Sequence, residues 1–209
     1  MKKLVYLLVG SFFLLTANIN AQTPEFGIKA GLNLSNMSVE DASDKTLKTG
    51  FHVGVFTKMP FTDVLSVQPE LLFSTKGVKY SFDNLLAKGE TNFNLNYIEI
   101  PINLVYNLSE DFEFHLGPYV GYLANANVDA NTEILNFLDI DTGDNIDREH
   151  FKSFDFGLTA GLNFSLQQFI FGFKYNLGLT PVAKDDFPAQ TILGDAKNSV
   201  IQLYGGIKF

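Results

Sequence analysis

Few residues in this chain have the types and spacing that chemistry needs. Asp139-Ile140-Asp141-Thr142-Gly143-Asp144-Asn145-Ile146-Asp147 places four carboxylates within nine positions. Oxygen ligands at that density can hold Ca²⁺. Gly143 falls one place early for an EF-hand loop, so the run reads first as a solvated acidic loop, with Asp139, Asp141, Asp144 and Asp147 as a Ca²⁺ alternative. His150 stands close to Asp147 and Glu149, as in a hydrolytic site, but no second histidine joins it. Glu70 and Glu99 lie symmetrically about the segment 77–91 and could face each other on neighbouring elements. Two adjacent carboxylates would need a cation or a shared proton. The plainer expectation is ion pairing with a lysine from another strand. No phosphate loop, dinucleotide-type glycine pattern or zinc motif is present, so neither a cofactor nor an enzymatic activity is expected.

The elements that carry these groups alternate. Phe154, Phe156, Leu158, Ala160, Leu162 and Phe164 share one parity, and Asp155, Gly157, Thr159, Gly161 and Asn163 the other. The same period-two pattern recurs over 26–34, 51–58, 65–74, 98–108, 112–122, 169–179 and 201–209, which predicts eight strands. Each is about 9–11 residues long, enough for a tilted strand to cross hydrocarbon. Connections alternate between tight (59–63, 109–111, 166–167) and long and polar (36–49, 77–91, 127–152, 180–198). Short periplasmic turns and long extracellular loops produce that asymmetry. A further hairpin within the long loops would make ten strands. Pro69 and Pro101 fall inside strands and lack a ladder donor, so a bulge is expected near each. Phe93, Leu95 and Tyr97 are out of step with the apolar row that starts at Ile98.

The composition of the two faces tells lipid from water. One face is large, apolar and aromatic throughout; the other mixes glycine with amides and charges. Large apolar bands turned to water would aggregate. In lipid they form the exterior, and barrel closure satisfies every backbone group. The expectation is therefore an all-β, closed, antiparallel up-and-down transmembrane barrel. At eight strands its interior is just wide enough for side chains to fill. The predicted lumen charges, Lys29, Lys58, Lys174 and Lys208 against Glu70, Glu99, Glu113 and Asp155, should then pair, because isolated buried charges are costly.

The first 21 residues read as a secretory signal: Lys2 and Lys3, an apolar run from Leu4 to Ala17, and cleavage after Ala21. Residues 22–209 then form the barrel domain. Losing Lys2 and Lys3 from 15 basic residues against 23 acidic ones takes the net charge from −8 to −10. That balance opposes nucleic-acid binding. The chain has no cysteine, which excludes disulfides and thiolate chemistry.

Three segments carry a family resemblance: Phe26-Gly27-Ile28-Lys29-Ala30-Gly31-Leu32-Asn33, Val67-Gln68-Pro69-Glu70-Leu71-Leu72-Phe73-Ser74-Thr75-Lys76-Gly77, and Tyr97-Ile98-Glu99-Ile100-Pro101-Ile102-Asn103-Leu104. On these the chain resembles the small outer-membrane β-barrel domain family labelled PorT-like or "porin family". Both awkward prolines belong to that family's pattern. The resemblance implies a Gram-negative outer-membrane location and no single activity; some members serve secretion or gliding machinery. The last strand, with Ile201, Leu203, Ile207 and terminal Phe209, resembles the signal read by the barrel-insertion machinery, although Gly205 interrupts the row. Expected partners are outer-membrane lipid, the insertion machinery and an extracellular or envelope protein. The leading functional expectation is a filled barrel that acts through its acidic loops. A narrow solute channel is the alternative, and an outer-membrane enzyme comes third.

Overall fold

The computed structural model describes residues 23–38, 45–84, 87–134, 150–184 and 195–209. Its strands are β1 (Glu25–Ser38), β2 (Lys45–Thr46), β3 (Lys48–Pro60), β4 (Leu65–Asn84), β5 (Ala87–Asn107), β6 (Phe112–Ile134), β7 (Phe154–Leu166), β8 (Phe169–Pro181) and β9 (Lys197–Lys208). Eight long strands pair antiparallel in the cyclic order β4-β3-β1-β9-β8-β7-β6-β5, and β5 returns to β4 to close the barrel. The two-residue β2 adds to the far end of β4. Closure leaves the long strands without a free edge through the barrel wall, as a spanning sheet requires.

Alternation decides which side each residue faces. Phe26, Ile28 and Leu32 of β1 are about half exposed, whereas Lys29 and Asn33 between them are buried. Every long strand repeats this, with Phe, Leu, Ile and Val outside and charged or amide side chains inside. The arrangement inverts that of a water-soluble barrel. At one end the strands meet in tight turns. Thr62 Oγ1 accepts the Leu65 amide at 2.9 Å, Ser109 Oγ accepts the Phe112 amide at 3.2 Å, and Gln167 adopts φ 57° between β7 and β8.

The strands differ from expectation in length. They run from 12 residues in β9 to 23 in β6, and β4, β5 and β6 extend into segments expected to be loop. Alternation continues there with its polarity reversed: Phe93, Leu95 and Tyr97 point inward and Asn92, Asn94 and Asn96 outward. The described outward side chains of this extension, Asn92, Asn94, Asn96, Asn125 and Asn127, are the kind that water requires. These additional residues lengthen existing strands, so the barrel is eight-stranded.

The expected bulges at the prolines are not found. Register is preserved across Pro69, Pro101 and the unanticipated Pro118, and each sits at a gap in one ladder. A proline without an N–H removes a hydrogen bond; here the ladder loses that bond without inserting a residue. The shift in β5–β6 register falls between Asn96 and Tyr97, where Ala124 of β6 is the extra residue.

Candidate functional site

The interior is the place where this chain concentrates charge, and it does so in groups. In the first, Glu70 of β4 is the hub. Lys174 of β8 donates to its Oε1 at 2.6 Å, and Lys29 of β1 donates to its Oε2. Gln68 and Asn103 add bonds to Oε1 at 2.8 and 3.0 Å. Both lysine ammonium groups also lie over the Tyr204 ring, at 4.5 and 5.8 Å from its centroid. None of Lys29, Glu70 and Lys174 is more than 3% exposed. Beside them Asn33 links four strands: its amide donates to Ser74 Oγ at 3.0 Å, and its carbonyl oxygen accepts from Gln202 at 3.2 Å and from His52 Nδ1 at 2.7 Å.

A second group lies farther from the turns. Lys76 of β4 pairs with Glu99 of β5 and with Asp155 of β7, the latter at 3.2 Å. Its ammonium sits 4.7 Å from the Tyr119 ring centroid and 5.1 Å from that of Tyr97. Asp155 Oδ2 also accepts from Tyr119 at 3.2 Å and from Asn198 at 2.9 Å. The third group lies toward the turns. Lys58 donates to Glu113 Oε1 at 2.6 Å, and His115 Nε2 lies 3.0 Å from Oε2. The first group has one carboxylate for two lysines, the second has two carboxylates for one lysine, and the third pairs one with one. Among the described residues four lysines therefore balance four carboxylates over the interior as a whole, with the first group one charge positive and the second one charge negative.

Apolar side chains pack among and beyond these charges. Toward the turns, Phe56, Ile170 and Tyr204 form a cluster. At the opposite end Val78, Phe93, Leu95, Tyr97, Leu123, Phe151, Val182, Ala183 and Ala196 form a larger one. The segment carrying Phe151 is tied down by Leu123 N to Ser153 O at 2.9 Å and Lys152 N to Val182 O at 2.9 Å. Glycine makes room for the rings. A Cβ at Gly157 would lie 2.4 Å from Tyr119 Cε1. Gly77, where β4 passes from the charged interior to the apolar end, has φ 150° and would place a Cβ 1.8 Å from Phe93 O.

A closed barrel with an apolar exterior and a polar interior is the architecture of one compartment. Residues 20–184 match the family described as outer membrane protein beta-barrel domain. The chain belongs to that family. It is an outer-membrane barrel with its apolar belt in membrane lipid. Its fold is similar to that of Ail, the attachment invasion locus protein of Yersinia pestis, solved with the heparin analogue sucrose octasulfate. That pair shares 14% identity over 90% of this chain and 100% of Ail, with a TM-score of 0.48. Neisserial surface protein A is similar at 12% identity over 91% of this chain and 99% of its own, with a TM-score of 0.47. OprG of Pseudomonas aeruginosa gives 13% identity over 92% and 99%, with a TM-score of 0.36. No curated protein sequence matches the chain.

Within this outer-membrane barrel domain the sequence-predicted residues divide clearly. Lys29, Glu70 and Lys174 meet in one group, and Glu99 and Asp155 in another, while Glu113 joins Lys58. Glu70 and Glu99 do not share a site; Glu70 meets Lys29 and Lys174, and Glu99 meets Lys76. Lys208 lies outside the lumen: it pairs with Glu25 at 3.4 Å on the rim, where the strand ends and inward parity no longer means an interior. Lys76 was not among the predicted lumen charges, although its parity with Ser74 and Glu70 would have placed it there. Ile201, Leu203 and Ile207 lie on the outer face and Phe209 is exposed at the rim. Asp139, Asp141, Asp144 and Asp147 and the expected signal peptide lie outside the described residues. His150 is described; its carbonyl accepts the Lys184 amide at 3.0 Å. Among the described residues no three His, Cys, Asp or Glu side chains come together as a metal site would require.

Proposed function

We propose that this outer-membrane protein is a sealed barrel that carries no solute and serves as a rigid membrane mount. It presents the β4–β5–β6 extension and the acidic segments around it to an extracellular or envelope partner. The observation that carries this reading is the ion-paired lumen, with Lys29, Lys76, Lys174, Glu70, Glu99 and Asp155 all at most 3% exposed. Side chains that fill an eight-stranded interior leave no continuous aqueous path. The apolar cluster at the end away from the turns supports the same reading. Every buried carboxylate contacts a lysine, although Glu99 and Asp155 share Lys76, and this reading assigns the interior charges a structural role. Residues 1–21 act as the cleaved signal and the row ending at Phe209 as the insertion signal. A PorT-like role in secretion or gliding would rest on the Gln68-Pro69-Glu70 and Glu99-Ile100-Pro101 segments alone.

A narrow channel is the second reading. It is favoured by buried lumen atoms with no hydrogen-bond partner, among them His52 Nε2, Ser66 Oγ, Thr159 Oγ1 and Asn176 Oδ1. Water would satisfy such atoms. Planar-bilayer recording of the refolded mature chain, with and without Ca²⁺, separates the two. Silence from folded, inserted protein is expected. Reproducible conductance steps, with or without Ca²⁺, would overturn the sealed-barrel reading.

A further inference from the structure

Asparagine is a poor strand former, yet one outward face of the barrel is built from it. Where β5 and β6 rise past the apolar belt, Asn92, Asn94, Asn96, Asn125 and Asn127 turn outward. The register sets them side by side: Asn96 pairs with Asn125, and Asn94 with Asn127. On β4 the same two rungs carry Thr75 and Gly77. Among the described side chains this face has no carboxylate.

Gly77 brings a cation into the array. A Cβ there would lie 3.2 Å from Lys48 Cδ, so the lysine stem passes over the glycine. Its ammonium donates to Asn94 Oδ1 and, at 2.7 Å, to Phe93 O. A side chain rooted at the start of β3 is thus laid across β4, and its charge arrives among the asparagines of β5.

The height of the array says what lies beside it. The last apolar rung on this side is Phe73, Ile98, Tyr122 and Phe154. Along β5 the two asparagine pairs follow about 7 and 14 Å farther on, which is about 5 and 10 Å in height at a tilt of about 40°. Headgroups add about 5–7 Å to each face of the hydrocarbon, so the array stands at and just above their level. The tight turns mark the periplasmic end, so these headgroups belong to the outer leaflet. In an outer membrane that leaflet is glycolipid, and its headgroup is phosphorylated sugar. Carboxamides both donate to and accept from sugar hydroxyls, and an ammonium suits phosphate. Directly below, the rings of Tyr122, Phe154 and Phe156 lie 5.5 and 6.2 Å apart and give the acyl chains a wall to lie against.

We propose that Asn94, Asn96, Asn125 and Asn127, with Lys48, form a docking surface for the phosphorylated sugar headgroup of an outer-leaflet glycolipid. The surface does not depend on whether the lumen conducts. It assigns the outward face of the extension to the membrane's own lipid, and leaves the rim for a partner.

The test inserts the mature full chain into vesicles of phosphatidylethanolamine with equal amounts of phosphatidylglycerol and short-core lipopolysaccharide. The barrel is extracted in mild detergent, and native mass spectrometry counts the lipids that stay bound. Retention of lipopolysaccharide about tenfold above phosphatidylglycerol is expected, the preference that two or so hydrogen bonds to sugar give. Asn125→Asp with Asn127→Asp removes amide donors and adds charge that repels phosphate, and should erase the preference; both positions are exposed, and heat-modifiable gel mobility confirms the fold. Lys48→Gln should reduce it. Free core oligosaccharide, which lacks acyl chains, should not displace the bound glycolipid. Equal retention of the two lipids by the wild type would overturn the proposal without recourse to any variant. An undiminished preference in the folded double variant would overturn it as well, and displacement by free oligosaccharide would assign the surface to a soluble saccharide instead.

Discussion

Replacing Glu70 with glutamine should be among the most damaging single changes in the barrel. Glu70 is the sole carboxylate of its group, and Lys29 and Lys174 both depend on it. At an effective dielectric of about 20, a pair at 2.6 Å contributes roughly 6 kcal/mol of Coulomb attraction. Desolvation of several kcal/mol per ion offsets most of that in the intact group. Glu70→Gln removes the attraction and keeps the desolvation of two ammonium groups, which then repel each other. Breaking a buried pair from one side costs about 3–5 kcal/mol. That is a large share of a typical net stability of about 5–15 kcal/mol. The triple variant Lys29→Met, Glu70→Met, Lys174→Met removes all three charges and should lie within about 1 kcal/mol of wild type or above it. The assay is equilibrium urea unfolding from lipid vesicles, followed by circular dichroism and gel mobility, because the chain has no tryptophan to report by fluorescence. The reasoning is refuted if Glu70→Gln loses less than about 1 kcal/mol, or if the triple variant loses as much as the single one.

Three further outcomes are expected. Gly157→Ala drives a methyl group toward Tyr119 and the Leu177 carbonyl, so it should cost about 1–3 kcal/mol in the same unfolding assay, whereas Gly205→Ala should be neutral. Deleting Phe209 should leave refolding into detergent unchanged but lower the amount of folded barrel recovered from cell outer membranes, as read by heat-modifiable gel mobility; equal recovery would remove Phe209 from the insertion signal. The mature protein should begin at Gln22 by N-terminal mass spectrometry, and retention of Lys2 and Lys3 would contradict cleavage after Ala21.

The membrane-spanning part was legible because lipid outside and charge inside impose one rule on every residue of the belt. Glu70, Lys29 and Lys174 followed from parity alone. Legibility failed where the environment changed. Above the belt water replaces lipid outside and an apolar cluster replaces charge inside, so Phe93, Leu95 and Tyr97 looked like a slipped phase although the backbone kept its alternation. Lys208 failed for the opposite reason: its parity was inward, but at the strand's last rung there is no interior left to face. The prolines misled because local propensity favours a bulge, whereas a closed barrel can lose a hydrogen bond at Pro69, Pro101 and Pro118 without shifting register. Which lysine meets which carboxylate is set by barrel curvature across strands as distant as β1, β4 and β8, and no local pattern contains that.

The ion pairs also do something that alternation cannot. Slipping β1 by one residue would push Lys29 into lipid and Ile28 into the lumen, and the cost of a charge in hydrocarbon forbids it. A slip of two residues keeps every side chain on its proper face, and the apolar belt is nearly indifferent to it. Such a slip moves each inward residue by about 7 Å along the strand. Lys29 would then no longer reach Glu70, and the Asn33 contacts to Ser74, His52 and Gln202 would part with it. The same displacement on β4 would separate Lys76 from both Glu99 and Asp155. Lipid selects which face points outward; the interior charges select which of the face-preserving registers is the native one.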